Sequence, residues 1–358
     1  MIDPTPMRRE GHIVIAGGAG FLGTNIAKAL AERGDQVLLF DNLSRLHVRE
    51  NVAWLQQHHG DRLSLRVGDV RDTEAVNEAM RGARAVIHLA AQVAVTTSVE
   101  NPVEDFEVNA RGTLNVLEGV RRYAPEAPVL FASTNKVYGK LISLDALARE
   151  GLRYVPRDPE IASGFDEATP LSLYSPYGCS KGSADQYVLD YARIYGLKTA
   201  VFRMSCLYGP HQFGTEDQGW VAHFVISALN GDPISIYGDG YQVRDVLYAE
   251  DAVRAWLLAL DNIDAVSGRV FNLGGGPENT LSLRELLRHI ERMDDRGPSV
   301  SFHDWRPGDQ PWYVSDTSAI EAALGWRAEV DVRTGLTRLR DWLVQHGAAR
   351  EQRREAVA

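Results

Sequence analysis

His12-Ile13-Val14-Ile15-Ala16 is an apolar run that leads directly into the segment Gly17-Gly18-Ala19-Gly20-Phe21-Leu22-Gly23. The apolar run predicts a buried strand, and the following residues, Thr24–Arg33, have the composition of a helix. Glycines between a strand and a helix let the backbone approach a ligand closely, and the N–H groups that begin a helix attract anions. The segment therefore predicts a site for the pyrophosphate of a dinucleotide, with contacts from Gly17, Gly20, Phe21, Leu22 and Gly23.

Asp41 ends a second apolar run, Gln36–Phe40, and stands 18 residues after Gly23. A carboxylate at this place accepts hydrogen bonds from the 2′-hydroxyl of an adenosine ribose, and it repels a 2′-phosphate. The spacing therefore favours NAD over NADP as the cofactor. Asn42, the next residue, is predicted to lie at the same end of the cofactor.

The composition limits the class of protein. The chain has 358 residues, 44% of them hydrophobic and 24% charged, as expected for a globular protein with one large or two modest domains. Its net charge of −10 argues against a nucleic-acid partner. Cys179 and Cys206 are the only cysteines and lack a metal-type spacing, so we expect no metal, no disulfide framework and a cytoplasmic location. No run approaches about 18 consecutive apolar residues, so no membrane span is expected.

Apolar runs and helical patterns alternate through the first half of the chain. The runs that predict strands lie at 12–16, 36–40, 63–67, 84–89, 128–132 and 198–203. The patterns that predict helices lie at 20–33, 72–81, 101–123 and 177–195. This alternation is typical of the α/β class with a Rossmann-type, doubly wound parallel sheet, whose ligand is expected at the carboxyl ends of the strands.

After residue 203 shorter elements lie between loops rich in glycine, proline and aromatic residues. We predict an NAD-binding domain formed by residues 11–203 plus about 244–275, because Arg269–Leu273 has the pattern of one more strand. A smaller, irregular substrate domain is predicted to comprise 204–243 plus about 276–345, with tails at 1–10 and 346–358. The segment 139–176, rich in Gly, Pro and Ser, is predicted to be a functional or covering loop.

Tyr177 and Lys181 are four residues apart in a predicted helix, so their side chains share one face. A phenol has an ordinary pKa of about 10 and is a poor base at pH 7. We expect the Lys181 ammonium and an oxidised nicotinamide to favour the phenolate, which makes Tyr177 a proton acceptor for an alcohol that loses hydride. Thr134 follows the strand 128–132 and is expected to hydrogen-bond the reacting oxygen. The alternative interpretations are a solvated helix face and a capped strand end.

The order of these motifs resembles the extended short-chain dehydrogenase/reductase family of nucleotide-sugar enzymes. The features that carry the resemblance span nearly the whole chain: Gly17–Gly23, Asp41, Asp69-Val70, His88-Leu89-Ala90-Ala91, Asn109, Ser133–Gly139, Tyr177 with Lys181, and Gly238–Asp245. The resemblance implies that Asp69 and Val70 flank the adenine, and that Ala90 and Ala91 lie beside the cofactor.

The same resemblance implies a catalytic set of Thr134, Tyr177 and Lys181, of which the last two also contact NAD. It implies that Asn109 helps to order the active-site helix. It further implies a homodimer or homotetramer, with helices 101–123 and 177–195 as the contact faces.

Longer segments resemble the CDP-paratose 2-epimerase group within that family: Gln92–Ser98, Ser133–Gly139, Ser175–Gly182, Asp185–Ala192, Asp217–Val221 and Gln242–Leu247. This resemblance implies NAD-dependent epimerisation at C2 of a nucleotide-linked sugar, expected to be CDP-linked, through a transient 2-keto intermediate. A nucleotide-sugar 4-epimerase, an NAD-dependent nucleotide-sugar dehydrogenase and a non-catalytic NAD-binding regulator are the alternatives. The sequence departs from the group at Ala91 and at Met204-Ser205-Cys206, where the fit of the sugar can change.

Asn135 and Lys136 argue against one reaction of the family. In the related sugar-nucleotide 4,6-dehydratases the equivalent pair is Asp-Glu, and its carboxyl groups move the protons when water is eliminated. An amide and an ammonium cannot supply that acid–base pair. The pair therefore favours oxidation and reduction of the sugar without dehydration.

The remaining predicted residues concern the substrate, a nucleotide-diphosphate sugar. Arg244 and Arg306 are expected to bind its diphosphate, because a guanidinium binds phosphate oxygens in pairs. By resemblance to the 4-epimerases, Asp309 matches an acid that contacts the ribose. Gln212 is expected near the base, and the side chains expected to contact the sugar are Gln92, Thr96, Asn135 and Lys136.

Overall fold

A seven-stranded parallel sheet lies at the centre of the chain, of which this computed structural model describes residues 11–294, 297–306 and 308–346. Residues 1–10 and 347–358 of the predicted tails lie outside the described residues. Within the described part of the chain, no helix combines the length and the apolar character that a bilayer crossing requires.

Strands and helices alternate along the chain. The strands are β1 (His12–Ala16), β2 (Val37–Asp41), β3 (Leu63–Val67), β4 (Ala83–His88), β5 (Val129–Thr134), β6 (Leu147–Glu150), β7 (Arg153–Pro156), β8 (Thr199–Met204), β9 (Cys206–Tyr208), β10 (Ile234–Tyr237), β11 (Val243–Tyr248), β12 (Arg269–Leu273), β13 (Thr280–Ser282), β14 (Val300–His303) and β15 (Trp312–Tyr313). The α-helices are α1 (Phe21–Glu32), α2 (Val48–His59), α3 (Thr73–Met80), α4 (Val95–Glu100), α5 (Pro102–Phe106), α6 (Gly112–Tyr123), α7 (Ser175–Tyr195), α8 (Trp220–Asn230), α9 (Ala249–Asp261), α10 (Ile263–Val266), α11 (Leu283–Asp294), α12 (Ser318–Leu324) and α13 (Val332–Gln345).

Helices cover both faces of the large sheet. Ile13 and Ile15 of β1 pack into an apolar cluster with α1, α2 and α9, whereas Val14 and Ala16 pack into a second cluster with α3, α6 and α7. Successive strand residues point to opposite faces, so a strand that is apolar throughout requires cover on both sides. The predicted α/β class with a Rossmann-type doubly wound sheet is confirmed.

The spatial order of the parallel strands is β3-β2-β1-β4-β5-β8-β12. The chain adds β2 and β3 on one side of β1 and the later strands on the other side, so the order reverses between β1 and β4. Ligands of such sheets bind outside the carboxyl ends of the strands at this reversal. The strands that meet there end next to Gly17, Asp41, Ala90 and Thr134. The fold thus brings residues from four separate sequence motifs to one edge.

The predicted helix 101–123 is confirmed over 102–123, with a π-helical turn (Glu107–Arg111) between α5 and α6. Asn109 in this turn is buried, and its Nδ2 donates to the Gln92 carbonyl at 2.9 Å and to Asp105 Oδ1 at 3.0 Å. Its Oδ1 accepts from the Gln92 N–H at 2.9 Å. These bonds tie the loop after β4 to the helix beneath it, and π turns of this kind are frequent at functional sites.

Apart from β12, the strands after β8 form smaller sheets. β11 pairs with β9, β13 and β15, and β10 pairs with β14. The segment 139–176, predicted as a covering loop, contains the hairpin β6–β7, and its Tyr154 N–H donates to the Tyr241 carbonyl at 2.9 Å. α9 packs against the large sheet and β12 pairs with β8. The predicted domain limits stay a prediction.

A buried ion pair joins α7 to the large sheet. Arg203 Nε and Nη2 on β8 donate to the two carboxylate oxygens of Asp185 at 3.0 Å each, and the Ser133 hydroxyl donates to the same carboxylate at 2.8 Å. The Asp185 and Arg203 side chains are 0% and 4% exposed. Because Ser133 precedes Thr134, this pair supports the strand end that carries the predicted active site.

We expect Arg203→Met to lower the free energy of unfolding by about 3–5 kcal/mol, because it leaves the Asp185 charge buried without its partner. Chemical denaturation followed by circular dichroism measures the change. Asp190→Asn is the matched control, since it breaks the exposed Asp190–Arg193 pair of the same helix and is expected to leave the transition nearly unchanged. Equal effects of the two substitutions would contradict the assignment.

Candidate active site

Two adjoining cavities lie along the carboxyl edge of the large sheet. The larger, of about 470 Å³, is lined by every residue predicted to bind the cofactor except Lys181. The smaller, of about 280 Å³, is lined by Thr96, Asn135, Lys136, Arg244, Arg306 and Asp309. Thr134 and Tyr177 line both cavities, so the predicted catalytic pair stands where they meet.

Backbone packing fixes the glycine-rich loop. Gly17 has a φ of +82°, and a Cβ added there would lie 2.6 Å from the Ala90 nitrogen. A Cβ on Gly23 would lie 2.4 Å from the Gly17 carbonyl oxygen. Gly20 stands at the N-cap of α1, where it has no side chain to occupy the first N–H groups, and the first turn of the helix has no acidic residue. The loop therefore fits the pyrophosphate of NAD.

Asp41 connects the loop to the ribose position. Its Oδ2 accepts from the Ala19 N–H at 3.0 Å, and its Oδ1 accepts from the Leu43 N–H at 2.9 Å. Burial raises the pKa of this carboxyl group, while the two N–H bonds act in the opposite direction. Each oxygen keeps acceptor capacity for a ribose hydroxyl. Asp41 thus shapes the loop as well as offering the acceptor that the sequence predicted.

The adenine end of the larger cavity has its own polar contacts. Asn42 Nδ2 donates to Asp69 Oδ2 at 2.9 Å, so two predicted cofactor residues hold each other. Arg71 binds Asp69 through Nε and Nη2 at 2.9 and 2.8 Å, and this pairing holds the pKa of Asp69 well below its usual range. The charged Asp69 is therefore fixed beside the buried Val70.

Tyr177 is buried beneath the junction of the cavities. Burial raises its pKa to about 12, whereas a hydrogen bond from the Thr134 hydroxyl and the nearby charge of Arg45 lower it. The Asp105 charge raises it further. The phenol and the Thr134 hydroxyl are therefore polar groups that a reacting hydroxyl could meet at this junction.

The predicted effect of Lys181 on Tyr177 stays a prediction, and the structure gives the contacts of the ammonium group. Lys181 Nζ donates to the Ala132 carbonyl at 2.6 Å and lies 4.2 Å from the centre of the Phe131 ring. Burial lowers the pKa of Lys181 to about 7, against the charges of Asp185 and Asp105. This ammonium is therefore bonded to the backbone of β5, and the charge of Arg45 also lowers the pKa of Tyr177.

The two cavities together form one groove, which has a cofactor end and a sugar end. Amide groups and charged side chains bond to one another at the sugar end. Gln310 Oε1 accepts from Asn135 Nδ2 and from Lys136 Nζ at 3.3 Å each, and Gln310 Nε2 donates to the Gly139 carbonyl. Arg244 Nη2 donates to Asp309 Oδ1 at 2.6 Å, and the same oxygen lies 3.8 Å from Lys136 Nζ. Burial lowers the pKa of Lys136 to about 8, and the Arg244 charge acts in the same direction.

Two predicted substrate residues lie beside the larger cavity instead. Gln92 and Gln212 line the cofactor cavity, and Gln242 lines the sugar cavity. Within the described residues, the side-chain oxygens of these three glutamines are buried and receive no hydrogen bond. Buried acceptors without a donor are costly, so these oxygens are candidate acceptors for donor groups of a bound ligand.

Sequence reasoning missed several residues of the groove. Arg45, four residues after Asp41, donates to the Ala91 carbonyl at 3.3 Å and to the Gln218 side chain. Gln310 follows the predicted Asp309 directly. The position of Arg45 close to the cofactor acid was an available signal, whereas the contacts of Gln310 depend on residues distant in the chain. Met204, Ser205 and Cys206, which the sequence marked as departures from the resembled group, line both cavities.

Comparison with known proteins identifies the family and the relatives of this chain. The NAD dependent epimerase/dehydratase family model matches residues 13–274. A CDP-paratose 2-epimerase from Salmonella typhi is 42% identical over 337 residues, covering 92% of this chain and 98% of that protein. A UDP-glucose 4-epimerase of Thermus thermophilus, solved with NAD, is 33% identical with a TM-score of 0.77, covering 93% of this chain and 99% of that one. A UDP-glucose 4-epimerase of Thermotoga maritima, solved with UDP-glucose, is 29% identical with a TM-score of 0.78, covering 94% and 99%.

The chain belongs to the NAD dependent epimerase/dehydratase family. Family membership confirms that it is an enzyme and that its cofactor is NAD, which the glycine loop and Asp41 fit. The role of each predicted site residue stays a prediction.

Gly23→Ala is expected to lower the affinity for NAD by about tenfold or more, because the added Cβ displaces the Gly17 carbonyl. Titration with NAD, followed by calorimetry on protein stripped of nucleotide, measures the change. Gly60→Ala is the control, since a Cβ there meets no atom within 4 Å. Retained affinity in the Gly23 variant would show that the loop does not hold the cofactor as described.

Thr134→Val removes a hydrogen bond that lowers the pKa of Tyr177. The pKa of the phenol therefore rises, and the pH–rate profile is expected to move to higher pH, with a rate loss of about 10²-fold at neutral pH. Thr134→Ser keeps the hydroxyl and should restore both. A valine variant with reduced rate and an unshifted profile would contradict the pairing of Thr134 with Tyr177.

Proposed function

We propose that the enzyme inverts the configuration at C2 of a nucleotide-linked, CDP-linked sugar through a transient 2-keto sugar. The observation that carries this proposal is the polar set at the sugar end of the groove. Asn135 and Lys136, held by Gln310, stand beside Thr134 and Tyr177. This set offers no carboxyl pair for the elimination of water, and the similarity to a CDP-paratose 2-epimerase favours C2 and cytidine.

The residues that would hold NAD are those of the larger cavity. The loop 17–23 would bind the pyrophosphate, Asp41 the adenosine ribose, and Asp69 with Val70 would border the adenine. NAD, when bound, takes a hydride from a carbinol carbon and returns it. The cofactor would stay bound between the two halves of the reaction, because the net redox change is zero.

The Tyr177 phenolate accepts the proton of the C2 hydroxyl as the sugar is oxidised, and the Thr134 hydroxyl orients the reacting oxygen. Oxidation has to come first, since a C–H bond beside the anomeric phosphate is not acidic without a carbonyl. The 2-keto sugar then turns about its glycosidic and phosphate bonds and presents its opposite face. The Tyr177 phenol returns the proton to the C2 oxygen as the sugar is reduced, so the phenolate is regenerated.

Such a turn of the sugar needs a fixed nucleotide. Arg244 and Arg306 would bind the diphosphate, because both guanidinium groups line the sugar cavity. Arg244 is held by Asp309 and is only 8% exposed, so it supplies a rigid anchor. Because Asp309 bonds Arg244, we expect this carboxylate to lie near the phosphates of the substrate, in addition to any ribose contact.

We further propose a homodimer or homotetramer that uses the predicted helix faces. α5 and the end of α4 carry the exposed apolar side chains Val99, Val103 and Phe106, and α7 carries Tyr187, Ile194 and Tyr195. Exposed apolar side chains grouped on neighbouring helices are typical of contact surfaces. The cytoplasmic location stays a prediction.

Incubation with CDP-paratose tests the proposed reaction. Proton NMR is expected to show inversion at C2 and no other carbon, and absorbance at 340 nm is expected to show no accumulation of NADH. Tyr177→Phe should lower the rate by about 10²-fold or more. Inversion at C4 would establish a 4-epimerase instead, and stoichiometric NADH release would establish a dehydrogenase.

A further inference from the structure

A tight turn, Thr215–Gln218, reaches over the groove where the two cavities adjoin. The Thr215 N–H donates to the Gln218 carbonyl at 2.8 Å, and the Gln218 N–H donates back to the Thr215 carbonyl at 3.1 Å. Glu216 and Asp217 form the exposed tip of this turn. Gly219 follows with a φ of +75° and is the N-cap of α8. The tip is thus a short turn closed by two backbone hydrogen bonds and followed by a glycine.

Three consecutive side chains of the turn bind the walls of the groove. Glu216 Oε1 accepts from Arg306 Nη2 at 2.8 Å and also from the Tyr237 hydroxyl. Asp217 Oδ1 lies 3.3 Å from Arg306 Nη1 and accepts from the Thr96 hydroxyl at 2.9 Å. Gln218 accepts from Arg45. Both carboxylates of the turn therefore converge on one guanidinium.

The two arginines of the sugar cavity differ in how they are held. The partner of Arg244 is Asp309, a cavity-wall residue whose side chain is 25% exposed. The partners of Arg306 are the tip carboxylates, whose side chains are 43% and 48% exposed, and the Glu216 main-chain carbonyl, which accepts from Nη1 at 3.1 Å. A guanidinium that is paired through both of its terminal nitrogens has no free fork for a phosphate. The Glu216 and Asp217 carboxylates lie 2.8 and 3.3 Å from the guanidinium nitrogens of Arg306, so they would also repel phosphate oxygens bound there.

We propose that Glu216 and Asp217 occupy Arg306 in the free enzyme, and that the diphosphate of the substrate binds Arg306 by replacing them. This inference rests on the proposed function, which assigns the diphosphate to Arg306. The turn then leaves the groove wall as the nucleotide enters, and it returns to Arg306 as the nucleotide departs. Glu216 and Asp217 set the affinity for the diphosphate without contacting the reacting carbon.

The size of the expected effect follows from the exposure of the pairs. Exposed ion pairs each contribute little, so replacing both carboxylates is expected to tighten diphosphate binding by about tenfold. The gain should depend on the phosphates of the ligand, because a nucleoside without phosphate does not need Arg306. It should also depend on Arg306 itself, which distinguishes competition for the guanidinium from simple repulsion at the groove.

Calorimetric titration with CDP and with cytidine tests the proposal on Glu216→Gln/Asp217→Asn. The double variant is expected to bind CDP about tenfold more tightly than the parent enzyme and to bind cytidine equally. Glu74→Gln/Glu126→Gln is the matched control, because it removes two exposed carboxylates outside both cavities. Circular dichroism of each variant checks that the fold is retained.

The same pair of substitutions, made in an Arg306→Gln background, completes a double-mutant cycle. There the gain in CDP affinity is expected to vanish. An unchanged or weakened CDP affinity of the double variant would overturn the proposal, and so would an equal gain in the Arg306→Gln background or in the matched control. Binding of CDP is measured without turnover, so the two proposals can fail separately. If the CDP affinities change as expected but no C2 inversion is observed, only the proposed reaction is overturned.

Discussion

The tight packing of Gly17, Gly23 and Ala90 is the constraint from which the rest of the groove follows. A side chain at either glycine would meet backbone atoms within 2.6 Å, so β1, α1 and the loop after β4 can approach only because these positions are glycine. That approach opens the N-terminus of α1 towards the cavity and places Asp41 beside the loop. The cofactor site is thus a consequence of backbone packing more than of any single polar contact.

A network of buried hydrogen bonds lies below Thr134 and Tyr177. Asp185 binds Arg203 and Ser133 in the core, and Lys181 donates to the Ala132 carbonyl one residue before Ser133. These bonds fix the end of β5, from which Thr134 reaches Tyr177. The phenol itself is buried, and burial keeps its pKa high. Proton transfer at Tyr177 therefore depends on groups that line the groove, of which the Thr134 hydroxyl and Arg45 lower its pKa.

The substrate half of the groove is polar and more adaptable. Its rigid part is the wall formed by Arg244, Asp309 and Gln310, which is buried or half-buried. Its adjustable part is the turn 215–218, which is exposed and yet bonded to both walls. An epimerase has to hold a nucleotide while its sugar turns, and a fixed wall opposite an exchangeable contact meets both requirements.

Local sequence was enough to predict the sheet, the glycine loop, Asp41 and the residues where the cavities meet, because strand periodicity and strand-end motifs are local properties of the chain. Helical spacing alone placed Lys181 against Tyr177, and it could not show that this ammonium turns to the Ala132 carbonyl. The partners of Arg306, Arg45 and Lys136 come from residues 90, 173 and 174 positions away, and they became known from the folded chain alone. Charge partners so far apart are set by how the loops fold over the sheet edge, and spacing along the chain carries no record of that contact.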